Sequence, residues 1–355
     1  MHIAVIRETH RVGKMALSPG EYVIEDINAA ELLARDLCRL REPDVTVRSF
    51  DSSLDWNGKR ILLVRPGGFG DLLFLTPCIA EIKRRWPQSI VNVACFPQYR
   101  DALEGNPDVD AFEEYPVAVC AFDSYDAHVW LENYIERDPK AKEIHVIDLL
   151  SERLGLEVSD TSDKRMRFHL TAEEMAAALE RYPRNSKKRA GIQVFSSSPV
   201  RSYPPKLTVE TARELMRRGW ELFLFGSPGQ VNSDSGPGIV NLTQRQPPAS
   251  FRESAAILKT CDVCIAPDSS LCHIAGILEI PTVALYGSFP WQLRTAYAPS
   301  IYAINGHGPC APCFHHSRGG QVFPEGKPCA LTGECNVLGS IEPRRIVAKV
   351  EALFE

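Results

Sequence analysis

Asp268, Ser269, Ser270 and His273 crowd into one turn of a 355-residue chain, at the point where two apolar runs are joined by a helical pattern. Residues 263–266 form a short apolar run and 267–270 are turn chemistry. Leu271, Ile274, Ala275 and Leu278 recur at helical spacing, and 282–285 is a second apolar run. Strand, tight turn, helix and strand in that order make a βαβ unit. Such a unit brings the first turn of its helix to the carboxyl edge of a parallel sheet. There the unpaired backbone N–H groups and the helix dipole attract an anion, usually a phosphate. Asp268 and Ser269 also stand where an N-cap belongs, so capping alone is the competing reading.

A second strand–turn–helix pattern spans residues 59–86: Lys-Arg-Ile-Leu-Leu-Val, then Arg-Pro-Gly-Gly-Phe-Gly-Asp, then an amphipathic stretch with Ile79 and Ile82. Gly67, Gly68 and Gly70 do not have the Gly-x-Gly-x-x-Gly spacing of a dinucleotide fingerprint, which places a nicotinamide oxidoreductase last among the functions considered. Asp71 follows the glycines, where a helix cap belongs. Near the other end, Cys310, Cys313, Cys329 and Cys335 are spaced C-x2-C, fifteen residues, Cys, five residues, Cys, with His315 and His316 between them. Four thiolates so clustered can close a tetrahedral structural site for zinc or iron, and free or disulfide-linked surface cysteines are the alternative. Cys261, Cys264 and Cys272 lie at apolar positions and read as packing.

Composition narrows the class. The chain is 44% hydrophobic and 24% charged, the balance of a globular protein large enough for two domains. A net charge of -5 leaves no basic excess for nucleic acid. No apolar run approaches the ~20 residues of a membrane helix, and the first residues lack the apolar core of a signal peptide. Eleven cysteines without an export signal favour reduced thiols or a metal over a disulfide framework, so the expected compartment is the cytoplasm.

The quoted motifs resemble those of the ADP-heptose heptosyltransferases, glycosyltransferase family nine. Asp268-Ser269-Ser270-Leu271-Cys272-His273-Ile274-Ala275, followed by Pro-Thr-Val-Ala-Leu-Tyr-Gly, is similar to that family's donor signature, with Ser270 where the family has Gly. The resemblance extends to 59–77, where it implies that Asp71 is the catalytic base. It extends also to 190–204, where Ser196, Ser197 and Arg201 take the family's hydroxyl-pair and cation positions ahead of Tyr203-Pro204. The chemistry suits those roles. An inverting transfer needs a base for the acceptor hydroxyl. A hydroxyl pair with a fixed cation can bind a diphosphate and stabilise it as leaving group. By resemblance, Ala249 lines the base pocket, His273 contacts the donor or packs, and the ribose-binding Glu of the family is missing, with Gln230 nearby.

The elements that must carry these residues follow from the alternation of apolar and helical patterns. Two doubly wound Rossmann-like α/β domains facing a cleft, the GT-B fold, are expected. The expected divisions are 1–58 as an appended subdomain and candidate for oligomer contacts; 59–182 as the acceptor domain; a polar linker around 182–189; and 190–340 as the donor domain. Residues 341–355 are expected as a helix crossing back to the first domain. Within 1–58, strands are expected at 2–6 and 45–50 and a helix at 29–40; further along the chain, a strand is expected at 165–170. The function expected is inverting, metal-independent transfer of heptose from ADP-heptose to the lipopolysaccharide core, at the cytoplasmic face of the inner membrane. A protein acceptor of the autotransporter type is the first alternative, and a non-catalytic nucleotide-sugar binder the second.

Overall fold

A computed structural model describes the chain apart from residues 1, 13, 42–45, 159, 194, 232–236 and 316–333. It divides into two compact units, Met1–Ile135 with Leu150–Asp163, and Glu136–Leu149 with Lys164–Glu355.

The first unit contains strands β1 (His2–Ile6), β2 (His10–Val12), β3 (Met15–Leu17), β4 (Gly20–Ile24) and β5 (Arg39–Arg41). These are followed by β6 (Arg60–Val64), β7 (Ile90–Cys95), β8 (Ala111–Glu114), β9 (Val117–Ala118) and β10 (Ala127–Trp130). A parallel sheet runs β10-β6-β7-β8. Ile61, Leu62, Leu63 and Val64 are all buried, as expected for a strand covered on both faces. The helix Phe69–Arg85 leaves the carboxyl end of β6, buries Leu72 to Ile82, and ends in Lys83, Arg84 and Arg85, which complement its dipole.

The first 58 residues are not a separate body. Strands β5-β1-β4-β9 form an antiparallel sheet, and β9 comes from beyond the parallel strands β6–β8. Ala4, Ile6, Leu17 and Val23 share one core with Leu62, Val64, Ala94 and Tyr115. Apolar area buried between strands far apart in sequence joins the two parts. The helix expected at 29–40 is Asp26–Ala34. It stops because Asp36 adopts a left-handed φ of 56°, after which β5 begins. Of the strand expected at 45–50, residue 45 lies outside the described residues, and Ser49 makes an isolated parallel bridge to His128.

The second unit is built on β11 (Arg189–Gln193), β12 (Glu221–Phe225), β13 (Ile239–Asn241), β14 (Val263–Pro267), β15 (Thr282–Tyr286) and β16 (Ile301–Asn305). They form one all-parallel sheet in the order β13-β12-β11-β14-β15-β16. The chain proceeds from β11 outward to β13 on one side, then returns to β14 and proceeds outward to β16 on the other. The topological switch point therefore lies between β11 and β14, which pair in register from Ala190 with Val263 to Ile192 with Ile265.

Three expectations need correction here. Residues 164–188 fall in the second unit, not in the first domain or a linker, and 165–170 belongs to no strand ladder. Arg189, placed by the sequence in the polar linker around 182–189, is 2% exposed because β11 is central. Its guanidinium is satisfied by Glu221 Oε2 at 2.7 Å and by the carbonyls of Tyr182 and Pro183. The C-terminal helix Pro343–Glu351 packs on the second unit's own helix Pro205–Arg217, and its Ile346, Val347 and Val350 join the core of Leu215, Leu222 and Val283. Among the described residues no helix is long and apolar enough to cross a membrane.

Candidate active site

At the switch point, the loops after β11 and β14 are tied together by side chains. Arg201 ends a short 3-10 turn, Pro199–Arg201. Its Nη1 donates to the Asp268 carbonyl at 3.1 Å and its Nη2 to Ser197 Oγ at 3.1 Å, while Nε has no hydrogen-bond partner among the described residues. Ser197 is exposed. Ser196 is buried and turned into its own loop, its hydroxyl donating to the Ser198 carbonyl at 2.8 Å. The neighbouring serines thus divide the work: Ser196 shapes the loop, and Ser197 stands at the surface beside the cation.

The helix Ser270–Ile277 starts from β14. Ser269 is its N-cap, with Oγ accepting from the Cys272 N–H at 3.4 Å, so the capping reading of Ser269 holds alongside any anion role. Ser270 is the first helical residue and half-buried, and Leu271 is buried. His273 is buried with Nε2 3.7 Å from Asp268 Oδ1, and the Asp268 side chain is itself buried. Both side chains are thus inside the unit, while the Asp268 carbonyl meets Arg201. Burial lowers the neighbouring His145 to about 3, with Arg294 and His273 adding to the push against charging it. Gln193, the last residue of β11, was missed in the sequence. Its Oε1 accepts from Ser269 Oγ and its Nε2 donates to the Phe195 carbonyl at 2.8 Å. The only signal for it was its place at the carboxyl end of a central strand. Ala249 lies half-buried just before the helix Phe251–Lys259, and Gln230 Oε1 accepts the Ser227 N–H at 2.8 Å, closing its own turn.

In the first unit, Asp71 is the third residue of Phe69–Arg85, and its Oδ2 accepts the Gly68 N–H at 2.7 Å. Its Oδ1 accepts from Arg65 Nη2 at 2.8 Å. Asp71 therefore caps the helix, as one reading of the sequence had it, and keeps 36% of its side chain exposed. A Cβ on Gly67 would lie 2.6 Å from Asp71 Cβ, so this carboxylate's position requires glycine there.

Cys310 is exposed, Cys313 half-buried and Cys335 buried in the second unit's core, while Cys329 lies outside the described residues. Among the described residues no group of three or more His, Cys, Asp or Glu side chains could hold a metal ion.

Residues 120–321 match glycosyltransferase family 9 (heptosyltransferase), a stretch that carries both switch-point loops. The chain belongs to glycosyltransferase family 9. Within this family it is 28% identical over 166 residues to lipopolysaccharide heptosyltransferase 1 of Pseudomonas aeruginosa, covering 44% of this chain and 45% of that one. It is 27% identical over 99 residues to lipopolysaccharide heptosyltransferase 2 of Salmonella typhimurium, covering 25% and 28%. The chain thus spans less than half the length of either curated relative. Its fold is GT-B, built from Rossmann-like parallel α/β sheets. It resembles ADP-heptose LPS heptosyltransferase II of E. coli, with a TM-score of 0.57, 16% identity, and coverage of 83% of this chain and 98% of that one. It also resembles the dodecameric iron-containing heptosyltransferase TibC in complex with ADP-D-beta-D-heptose, with a TM-score of 0.61, 13% identity, and coverage of 99% and 91%. The family 9 match begins after Asp71, which therefore rests on its own loop motif and geometry.

Proposed function

We propose that this family 9 chain is an inverting heptosyltransferase that uses ADP-heptose as donor and needs no metal in the chemical step. The observation that carries the reading is the meeting of Arg201, Ser197 and the start of the helix Ser270–Ile277 at the switch point of the second unit. In the proposed reaction an acceptor hydroxyl attacks the anomeric carbon as the bond to the diphosphate oxygen breaks. Asp71 takes the hydroxyl proton, and ADP leaves with its new negative charge met by Arg201, Ser197 and the helix N–H groups. Ser269 and Gln193 keep the two loops in register for that contact.

The lipopolysaccharide core is the proposed acceptor, reached at the cytoplasmic face of the inner membrane, because both curated relatives are lipopolysaccharide heptosyltransferases. A protein acceptor is the second reading. The N-terminal sheet is then a place for oligomer contacts. The four cysteines are proposed to hold a structural iron or zinc, supported by their spacing and by the iron in the TibC structure.

Release of ADP from ADP-heptose is the test, run with heptose-deficient lipopolysaccharide and, separately, with an autotransporter passenger domain. Release with the first alone supports the core acceptor, and release with the second alone supports the protein acceptor. Donor binding with no release under either condition, or with water as acceptor, would leave a nucleotide-sugar binder.

A further inference from the structure

We propose that Arg65 is a positioning residue for the base, setting the side-chain rotamer of Asp71. This rests on the reading of Asp71 given above. Arg65 follows β6 directly, and its side chain is 3% exposed, whereas the carboxylate it touches is 36% exposed. A buried guanidinium is tolerated only where its donors are met. Here two guanidinium nitrogens, Nη1 and Nη2, and the backbone N–H are met from several strand ends. The Arg65 N–H donates to the Ala94 carbonyl on β7 at 3.0 Å, and Nη1 donates to the Leu131 carbonyl, just past β10, at 2.8 Å. Leu131 is in turn fixed by its own N–H on the Val64 carbonyl at 2.8 Å. Nη2 is left directed at Asp71 Oδ1, at 2.8 Å.

The carboxylate is therefore held from two directions. Gly68 N–H fixes Oδ2, and this bond alone would suffice for a helix cap. The Arg65 bond to Oδ1 adds a constraint that capping does not require, and it refers the carboxylate to the ends of β6, β7 and β10. Each carboxylate oxygen can accept a second hydrogen bond, so the arrangement is compatible with receiving a proton from a hydroxyl. Lysine could not substitute fully. It is a single point charge without the planar fork that spans a carbonyl and a carboxylate at once. Misplacing a reacting group by about 1 Å costs about 10²-fold in rate, which sets the scale expected if the carboxylate swings free.

The experiment measures ADP release from ADP-heptose with water as the acceptor, so that no acceptor need be identified. It compares the unaltered protein with Arg65→Met, Arg65→Lys, Asp71→Asn and the Arg65→Met/Asp71→Asn double variant. Arg65→Met is expected to lower kcat by roughly 10- to 100-fold while leaving the KM for ADP-heptose within about two-fold. Arg65→Lys should fall between Arg65→Met and the unaltered protein. The double variant should be no slower than Asp71→Asn, because Arg65 acts only through the carboxylate. A further loss in the Asp71→Asn background, or a kcat unchanged by Arg65→Met, would overturn the inference. If Arg65→Met fails to fold, Arg65→Lys carries the same comparison in both backgrounds. The underlying reading fails separately: Asp71→Asn with normal turnover removes the base, and no turnover by the unaltered protein removes water as an acceptor and the inference with it.

Discussion

Arg201 Nη1 lies 3.1 Å from the Asp268 carbonyl oxygen, so the cation of one strand-end loop is anchored on the backbone of the other. The guanidinium is thereby held in place before any ligand arrives, the arrangement in which a charge stabilises a leaving group without reorganising. Arg201→Ala is expected to weaken ADP-heptose binding and to lower transfer by about 10²-fold. Arg201→Lys should recover part of the loss, since it keeps the charge but loses the fork. Calorimetry with ADP-heptose checks the first effect, and binding indifferent to Arg201 would remove it from the donor site.

Asp71→Asn should preserve the fold and the ADP-heptose affinity while reducing turnover by about 10²-fold or more. The amide can still accept the Gly68 N–H, so the helix start is kept while the proton acceptor is lost. Near-normal turnover would make Asp71 a cap and nothing more.

Gly67→Ala should behave like a damaged base, because the added Cβ would fall 2.6 Å from Asp71 Cβ and 2.7 Å from its Oδ2. The expected signature is a lower kcat with unchanged donor affinity, read by steady-state kinetics beside calorimetry. A loss confined to donor binding would contradict it.

His145 predicts a pH dependence of stability. Burial lowers its pKa from 6.5 to about 3, so between these values the unfolded chain binds a proton that the folded chain refuses. Stability from this group is full above pH 6.5 and falls as pH drops toward 3. The loss between pH 7 and pH 5 is about 2 kcal/mol. Urea unfolding at the two pH values should show it, and His145→Gln should flatten the difference by a similar amount. An equal pH difference in both proteins would count against a neutral buried His145.

Protein isolated without chelator is expected to carry close to one iron or zinc per chain, bound through Cys310, Cys313, Cys329 and Cys335. Stripping it should increase proteolysis of the cysteine loop while leaving ADP release nearly unchanged, because four thiolates leave no open position for substrate. Metal-free protein with full stability would leave these cysteines without a ligand role.

Much of the second unit was legible along the chain. Its strands are short apolar runs, its helices recur at 3.6 residues, and the loops at 196–204 and 268–273 carry their polar residues within a few positions of a strand end. Periodicity and turn chemistry are local, so the βαβ unit around Asp268 and the loop leading to Asp71 could be read without knowing what lay beside them. Ser196 was read only in part. Its residue type marked the loop, but nothing local indicated that its hydroxyl would turn inward to Ser198 and leave the surface to Ser197.

Pairings between distant residues were decided by the folded chain. Arg65 meets Leu131, Gln193 meets Ser269, and Arg189 meets Glu221, each across a parallel sheet whose strand order the residues do not spell out. The same is true of the first 58 residues, whose apolar positions join the core of β6 and β7, and of the final helix, which docks on Pro205–Arg217. Burial of apolar area is non-directional. An amphipathic segment therefore declares that it will be covered, but the surface that covers it is set by the topology of the whole sheet.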